Sequence, residues 1–379
     1  MSIRSLTFAY AISCLTTFGC SDSSSATIDA AAADARVVDG AVTDAPGPAF
    51  SFEATNFVNG TFTQAQTFNG FGCTGDNASP ALQWANPPAG TKSFALTVFD
   101  LDAPTGSGFW HWTLFDIPAT TASLAANAAA TTGGSLPAGA IQGYTDFGRP
   151  GYGGPCPPVG DAPHRYVFKL SALSVDKLGL DSTATGALVT FSALGATLGT
   201  ATFTVSFGIN TPHPEVPTPT GFTLASNDLA DGKFANNQVL NSFGCAGDNV
   251  SPELHWSGAP DGTKSFVLTM FDPDAPTGSG FWHWLAFDIP VTTGSLDKGA
   301  GLKNASLGGG IQGYNDTATN GYSGPCPPMG DAPHHYIFTL YALPVATLGV
   351  PAGTPGGLLG FNARAQATAK ATFTATYGR

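Results

Sequence analysis

Four stretches in the first half of the chain carry the apolar and β-branched composition of strands. Ser93-Phe-Ala-Leu-Thr-Val-Phe99 and Thr113-Leu-Phe-Asp-Ile117 are bounded by Pro and Gly turns. Arg165-Tyr-Val-Phe-Lys-Leu-Ser-Ala-Leu173 alternates polar and apolar positions, and Ala201-Thr-Phe-Thr-Val-Ser-Phe207 follows it. The second half repeats the series at Ser265–Phe271, Leu285–Ile289, His335–Leu343 and Ala371–Tyr377. Helical spacing is visible mainly before each last strand, over Gly186–Leu198 and Gly357–Lys370. The pattern predicts a mainly β chain in which each half is two packed antiparallel sheets with one or two short helices.

The halves are copies. Asp102-Ala-Pro-Thr-Gly-Ser-Gly-Phe-Trp-His-Trp112 recurs letter for letter as Asp274-Ala-Pro-Thr-Gly-Ser-Gly-Phe-Trp-His-Trp284. A period this long marks a duplicated domain, because solenoid units run to about 20–50 residues. The boundaries read from the sequence are 50–208 and 222–379, joined by a Pro-rich linker over 209–221 whose composition favours an extended spacer.

The N-terminal segment belongs to neither copy. Arg4 precedes a mostly apolar run, and Thr17-Phe18-Gly19-Cys20 follows it. This reads as a signal peptide over 1–19 of lipoprotein type, with Cys20 as the lipidated residue; the run is too short for a membrane span. Residues 20–49 are rich in Ser, Ala and Asp and read as a disordered tether. The expectation is a cell-envelope protein held to a membrane through its N-terminal lipid. A net charge of −12, with 14 Lys and Arg against 26 Asp and Glu, argues against a nucleic-acid surface.

Each copy holds one cysteine pair, Cys73 with Cys156 and Cys245 with Cys326. In an exported chain this suggests one disulfide per domain, and closing about 80 residues would contribute ~4 kcal/mol in the chain-entropy model. Buried free thiols are the alternative. Zinc is a poorer one, because neither pair has a Cys-x-x-Cys partner.

Four polar groups recur: Asp100-Leu-Asp102-Ala-Pro104 with Asp272-Pro-Asp274-Ala-Pro276, Trp110-His111-Trp112 with Trp282-His283-Trp284, Gly154-Pro-Cys-Pro-Pro158 with Gly324-Pro-Cys-Pro-Pro328, and His164-Arg165-Tyr166 with His334-His335-Tyr336. The acidic pair follows one strand, and the histidines precede others. If these strands are neighbours, two His and two Asp converge at one rim beside a Pro-rich wall. Turn chemistry alone also accounts for Asp-Ala-Pro before Thr-Gly-Ser-Gly, and the tryptophans read as core.

These groups, together with Asp76-Asn-Ala-Ser-Pro-Ala-Leu-Gln-Trp84 and Asp248-Asn-Val-Ser-Pro-Glu-Leu-His-Trp256, resemble the phosphatidylethanolamine-binding protein family in its bacterial, Raf-kinase-inhibitor-like branch. The resemblance covers roughly 52–208 and 223–379. It implies a two-sheet β fold with a small cavity that accepts phosphate or phosphorylethanolamine. Carried over, the first pocket uses Asp100, Asp102, Pro104, His111, Pro157, Pro158, His164 and Tyr166. The second uses Asp272, Asp274, Pro276, His283, Pro327, Pro328, His334 and Tyr336. Imidazole, tyrosine and backbone donors suit phosphate oxygens. One departure stands out: Arg165, typical of the family, is His335 in the second copy. Alternation along the strand turns that position away from His164 and Tyr166, which favours a structural role.

The resulting expectation is a non-catalytic binding protein for a small anion, without cofactor or metal. Ser107 and Ser279 lack a Gly-x-Ser-x-Gly elbow. The alternatives are a protein-interaction module acting on a kinase or protease, in which two linked copies favour bivalent engagement, and a metal-dependent hydrolase using the Asp and His groups.

Overall fold

A computed structural model of the chain describes residues 48–379, apart from 131, 209–214, 230, 304 and 306. The expected signal peptide, the lipidated Cys20, most of the tether and the first part of the linker lie outside the described residues.

The first repeat contains β1 (Ser51–Ala54), β2 (Asn69–Gly70), β3 (Cys73–Thr74), β4 (Leu82–Ala85), β5 (Ser93–Asp100), β6 (Phe109–Pro118), β7 (Ser123–Leu124), β8 (Ile141–Gln142), β9 (His164–Leu173), α1 (Gly186–Ala193) and β10 (Thr197–Phe207). The second contains β11 (Thr223–Ala225), β12 (Leu254–Ser257), β13 (Ser265–Asp272), β14 (Phe281–Pro290), β15 (Ser295–Leu296), β16 (Ile311–Gln312), β17 (His334–Leu343), α2 (Gly356–Gln366) and β18 (Ala369–Tyr377). A three-stranded sheet, β1-β4-β7, faces a five-stranded sheet, β10-β9-β5-β6-β8; the second repeat gives β11-β12-β15 and β16-β14-β13-β17-β18. The fold is mainly β, two copies of one two-sheet domain.

β5 is buried at every position although its sequence does not read as an ordinary half-buried strand. Phe94, Leu96 and Val98 enter the core between the sheets with Trp84, Trp112 and Phe168. Ala95 turns to the other face, where Leu188 and Val189 of α1 cover it with Phe115. A strand covered on both faces carries apolar residues on each of them, so the polar–apolar alternation is lost.

Two helix expectations are corrected at their ends. α1 stops at Ala193, a 3-10 turn follows over Leu194–Ala196, and Thr197 already pairs with Leu173 of β9. α2 stops at Gln366 because Ala369 and Lys370 pair with Ala342 and Tyr341. Ladder bonds to a formed strand displaced the last helical turn in each case. The N-terminus of α1 is capped as its sequence allows: Thr185 Oγ1 accepts from Leu188 N at 3.2 Å.

Candidate functional site

The register of the large sheet builds the site. Asp100, the last residue of β5, lies opposite Tyr166 of β9. On its other side β5 pairs with β6, and the register slips: Val98 opposes Trp112, while Phe99 opposes Trp110. His111 is therefore the extra residue of a β-bulge. The same slip between Met270–Trp284 and Phe271–Trp282 leaves His283 extra in the second copy. A bulge re-aims the side chain it carries, and here it turns a strand residue into the cavity. The sequence reading placed these histidines just before a strand. They lie within β6 and β14, because the bulge lets the strand continue through the Trp-His-Trp segment.

Asp100 organises the floor. Its Oδ1 accepts from the backbone N–H groups of Asp102 at 2.9 Å and Ala103 at 3.1 Å, closing an Asx turn. Its Oδ2 lies 2.7 Å from Nδ1 of His164 and 3.9 Å from Nε2 of His111. The other ring nitrogen of His164 lies 3.1 Å from Oδ2 of Asp161. Burial pulls the His164 imidazole down, but the Asp100 hydrogen bond and the charges of Asp100 and Asp161 outweigh it, and its pKa ends above the ordinary value. The imidazolium form is the one that donates from both nitrogens.

His111 is the opposite case. Burial pushes its pKa below the ordinary histidine value, against the pull of Asp100. Its Nδ1 lies 2.8 Å from the carbonyl of Gly153. A carbonyl only accepts, so Nδ1 carries the proton and Nε2 is free to face the cavity. His283 repeats this at 2.8 Å from the Ser323 carbonyl.

The buried Tyr166 hydroxyl completes the floor. It lies beside Asp100 but makes no well-formed hydrogen bond among the described residues, and that of Tyr336 stands likewise beside Asp272. Burial, with the nearby Asp100 charge second, raises the Tyr166 pKa far above the usual phenol value, so the group stays a neutral O–H donor.

The cavity has a volume of about 30 Å³ and is lined by Asp100, Pro104, His111, Pro157, Pro158, His164 and Tyr166 among others. Its twin, also about 30 Å³, is lined by Asp272, Pro276, His283, Pro327, Pro328, His334 and Tyr336. One water needs about 10–15 Å³ on this measure, so each cavity suits a small polar head and not an acyl chain.

The structure keeps two expected residues off the cavity walls. Asp102 binds Arg165 instead: its Oδ1 accepts from Nη2 at 2.7 Å and its Oδ2 from Nε at 2.9 Å. That pairing lowers the Asp102 pKa. In the second copy Asp274 Oδ2 meets Nδ1 of His335 at 2.8 Å. Both acids follow a strand end by two residues, and the turn that Asp100 or Asp272 caps directs them to the exposed Arg165 or His335.

The cysteines form two disulfides, Cys73–Cys156 and Cys245–Cys326. Each fastens the Pro-rich wall to the loop that carries Phe71 or Phe243. Among the described residues no group of three or more His, Cys, Asp and Glu is arranged to hold a metal ion. Ser107 is tied into its turn, donating to the Gly108 carbonyl at 3.1 Å and accepting from Trp282 Nε1 at 3.1 Å.

Sequence reasoning missed Asp161, which holds the far side of His164, and the aromatic residues of the cavity mouth, Phe71, Phe147 and Phe361. Phe71-Gly-Cys73 does recur as Phe243-Gly-Cys245, a signal that could have flagged the first of them.

The family profile described as phosphatidylethanolamine-binding protein matches residues 58–208 and 230–378. The chain belongs to the phosphatidylethanolamine-binding protein family, with two copies of its domain. It is similar to YbcL of Escherichia coli, 51% identical over 147 residues that make up 39% of this chain and 80% of that protein. YbhB of the same organism is 44% identical over 156 residues, 41% of this chain and 98% of that protein. A Mycobacterium tuberculosis protein that carries a lipoprotein name, LppC, is 40% identical over 140 residues, 37% of this chain and 64% of its own length. The crystal structure of Escherichia coli YbcL aligns with 42% of this chain and 99% of that chain, at 47% identity and a TM-score of 0.41.

Proposed function

We propose that the chain is a non-catalytic binding protein with two pockets for a small anionic head group, phosphate or phosphorylethanolamine. The observation that carries the reading is the pair of buried hydroxyls on Tyr166 and Tyr336, each on a cavity wall beside an aspartate yet making no well-formed hydrogen bond among the described residues. A buried donor left unmade costs about 1–3 kcal/mol, and a ligand oxygen at this position would remove that cost. His111 Nε2, facing the same space, supplies a second group able to donate once protonated.

Tyr166→Phe and Tyr336→Phe test the reading. Each deletes an orphaned hydroxyl while keeping the ring, so stability should hold or rise while one phosphate-binding event per variant weakens. Titration calorimetry with inorganic phosphate and with phosphorylethanolamine reads both. His111→Ala and His283→Ala should each remove one binding event from the folded chain. Full binding by both histidine variants would refute the pocket assignment.

We further infer that the chain is held at a cell-envelope membrane by lipid on Cys20. Support comes from the Thr17-Phe18-Gly19-Cys20 sequence and from the lipoprotein name of the mycobacterial relative. Among the described residues no helix is long and apolar enough to cross a membrane. Labelled fatty acid should enter the chain, and Cys20→Ser should abolish that label.

A further inference from the structure

The two repeats meet through α2. Gly360 of this helix lies so close to the first repeat that an added Cβ would come within 2.1 Å of the Thr105 carbonyl. Gly357 N donates to Asp146 Oδ1 at 3.3 Å. This approach brings Phe361 to the mouth of the first cavity, with its ring centroid 5.7 Å from that of Phe71. The arrangement is reciprocal: Phe191, of the first repeat, packs 5.5 Å from Phe243 and lines the second cavity. Each cavity is thus walled in part by the other repeat.

The polar floors match, but the mouths do not. In the first, Phe147 lies 4.5 Å from Phe68, 6.1 Å from Phe71 and 5.3 Å from His111, centroid to centroid. The second copy has Leu240 where the first has Phe68, and Thr317 where it has Phe147. Thr317 Oγ1 joins a polar network with Asn315 and Ser323. An anion on either floor would turn its substituent toward the mouth. In the first it meets the rings of Phe71, Phe147 and Phe361; in the second it meets those of Phe191 and Phe243, with Leu240 and the Thr317 hydroxyl, while Phe109 and Phe281 are common to both.

We propose that Phe361 and Phe191, each reaching across from the other repeat, are specificity residues for the group attached to the bound anion, and that the two sites differ: the first selects phosphomonoesters with an apolar, aromatic substituent, and the second does not. The proposal rests on the anion-pocket reading above. Aromatic rings attract one another in offset or edge-on geometry beyond the area they bury, so a ring on the ligand gains at the first mouth and little at the second.

The test uses the full chain with inorganic phosphate and phenyl phosphate, measured by calorimetry. His283→Ala isolates the first site and His111→Ala the second. The first site should bind phenyl phosphate about five-fold or more tighter than phosphate, and the second within about two-fold. Phe361→Ala should erase the first-site preference by lowering phenyl phosphate affinity more than phosphate affinity. Phe361→Leu, which keeps apolar bulk without the ring, should keep the fold and lose most of the preference. Equal affinities for the two probes at the first site, or a Phe361→Ala effect that lowers both alike and is restored by Leu, would overturn the proposal. Failure of the unmutated chain to bind inorganic phosphate at all would instead bring down the anion-pocket reading, and this inference with it.

Discussion

His164 Nδ1 and Asp100 Oδ2 stand 2.7 Å apart, and His334 Nδ1 and Asp272 Oδ2 repeat that distance. Each histidine opens one strand and each aspartate ends its neighbour, so the contact ties two strand ends at the floor of the cavity. His111 stands 3.9 Å from the same carboxylate oxygen and is held from behind by a carbonyl. One histidine of the pair is thus engaged at both nitrogens, and the other keeps one nitrogen for the cavity.

Anion binding should therefore take up a proton. His111 titrates below the ordinary histidine value when the cavity holds no ligand, because burial disfavours the imidazolium. An anion beside Nε2 favours the charged form and raises that pKa. Asp100, His164 and Tyr166 also face the group. Affinity should rise as pH falls from about 8 toward 5. Sulfate is the probe, since its own charge is constant over that range. Calorimetry in buffers of different ionisation enthalpy should count the protons, and His111→Ala in a His283→Ala chain should remove the dependence along with the binding.

Arg165 should prove irrelevant to the anion. Its guanidinium is exposed and paired with Asp102, which is not on the cavity wall. Arg165→His, which copies the second repeat, should leave first-site phosphate affinity within about two-fold, as expected for a surface pair. A ten-fold loss would put the guanidinium back among the ligand contacts.

The strands and, on the condition that they are neighbours, the convergence of Asp100, His111, His164 and Tyr166 were legible because their motifs flank strands and the duplication shows which of them both copies kept; the strand order itself was not, since it rests on pairings far apart in the chain. The bulge at His111 was not legible: the sequence of β6 is uninterrupted, and only its pairing with β5 shows the slip. The removal of Asp102 from the cavity was half legible, since strand alternation already set Arg165 apart from His164 and Tyr166. The mouth residues Phe361 and Phe191 were hidden for another reason. They act on the opposite repeat, and no motif or spacing within one copy records what the other copy touches.

The disulfides should support stability and the mouth together. Cys73–Cys156 closes a separation of 83 residues, for which chain entropy gives ~4 kcal/mol. It also fastens the loop of half-exposed Phe71 to the Pro157–Pro158 wall. Replacing both cysteines by serine should lower the melting temperature by about 5–10 °C and weaken first-site phosphate binding. The second site, with its own Cys245–Cys326 bond, should bind as before; a loss at both would mean that the effect spreads through the repeat interface.

Two buried carboxyls near that interface should make the fold more stable in mild acid than in mild base. Burial, the largest cause, raises Asp146 and Asp316 to about 7 from an ordinary 3.8. Trp110 N donates to Asp146 at 2.7 Å and Trp282 N to Asp316 at 2.8 Å, which opposes the shift without cancelling it. Between 3.8 and about 7 the folded chain binds more protons than the unfolded one, so stability declines as pH rises through that window. The contribution is complete below the unfolded value and is lost as pH passes the folded one. At ~1.4 kcal/mol per pKa unit the loss is on the order of a few kcal/mol per group. Asp316→Asn removes one of the two charges. Its amide oxygen can accept from Trp282 N as the carboxylate does. Scanning calorimetry should show the variant melting about 5 °C above the parent at pH 8 and level with it near pH 5. A parent chain whose melting temperature rises from pH 5 to 8 would show that both carboxyls are ionised and compensated in the fold.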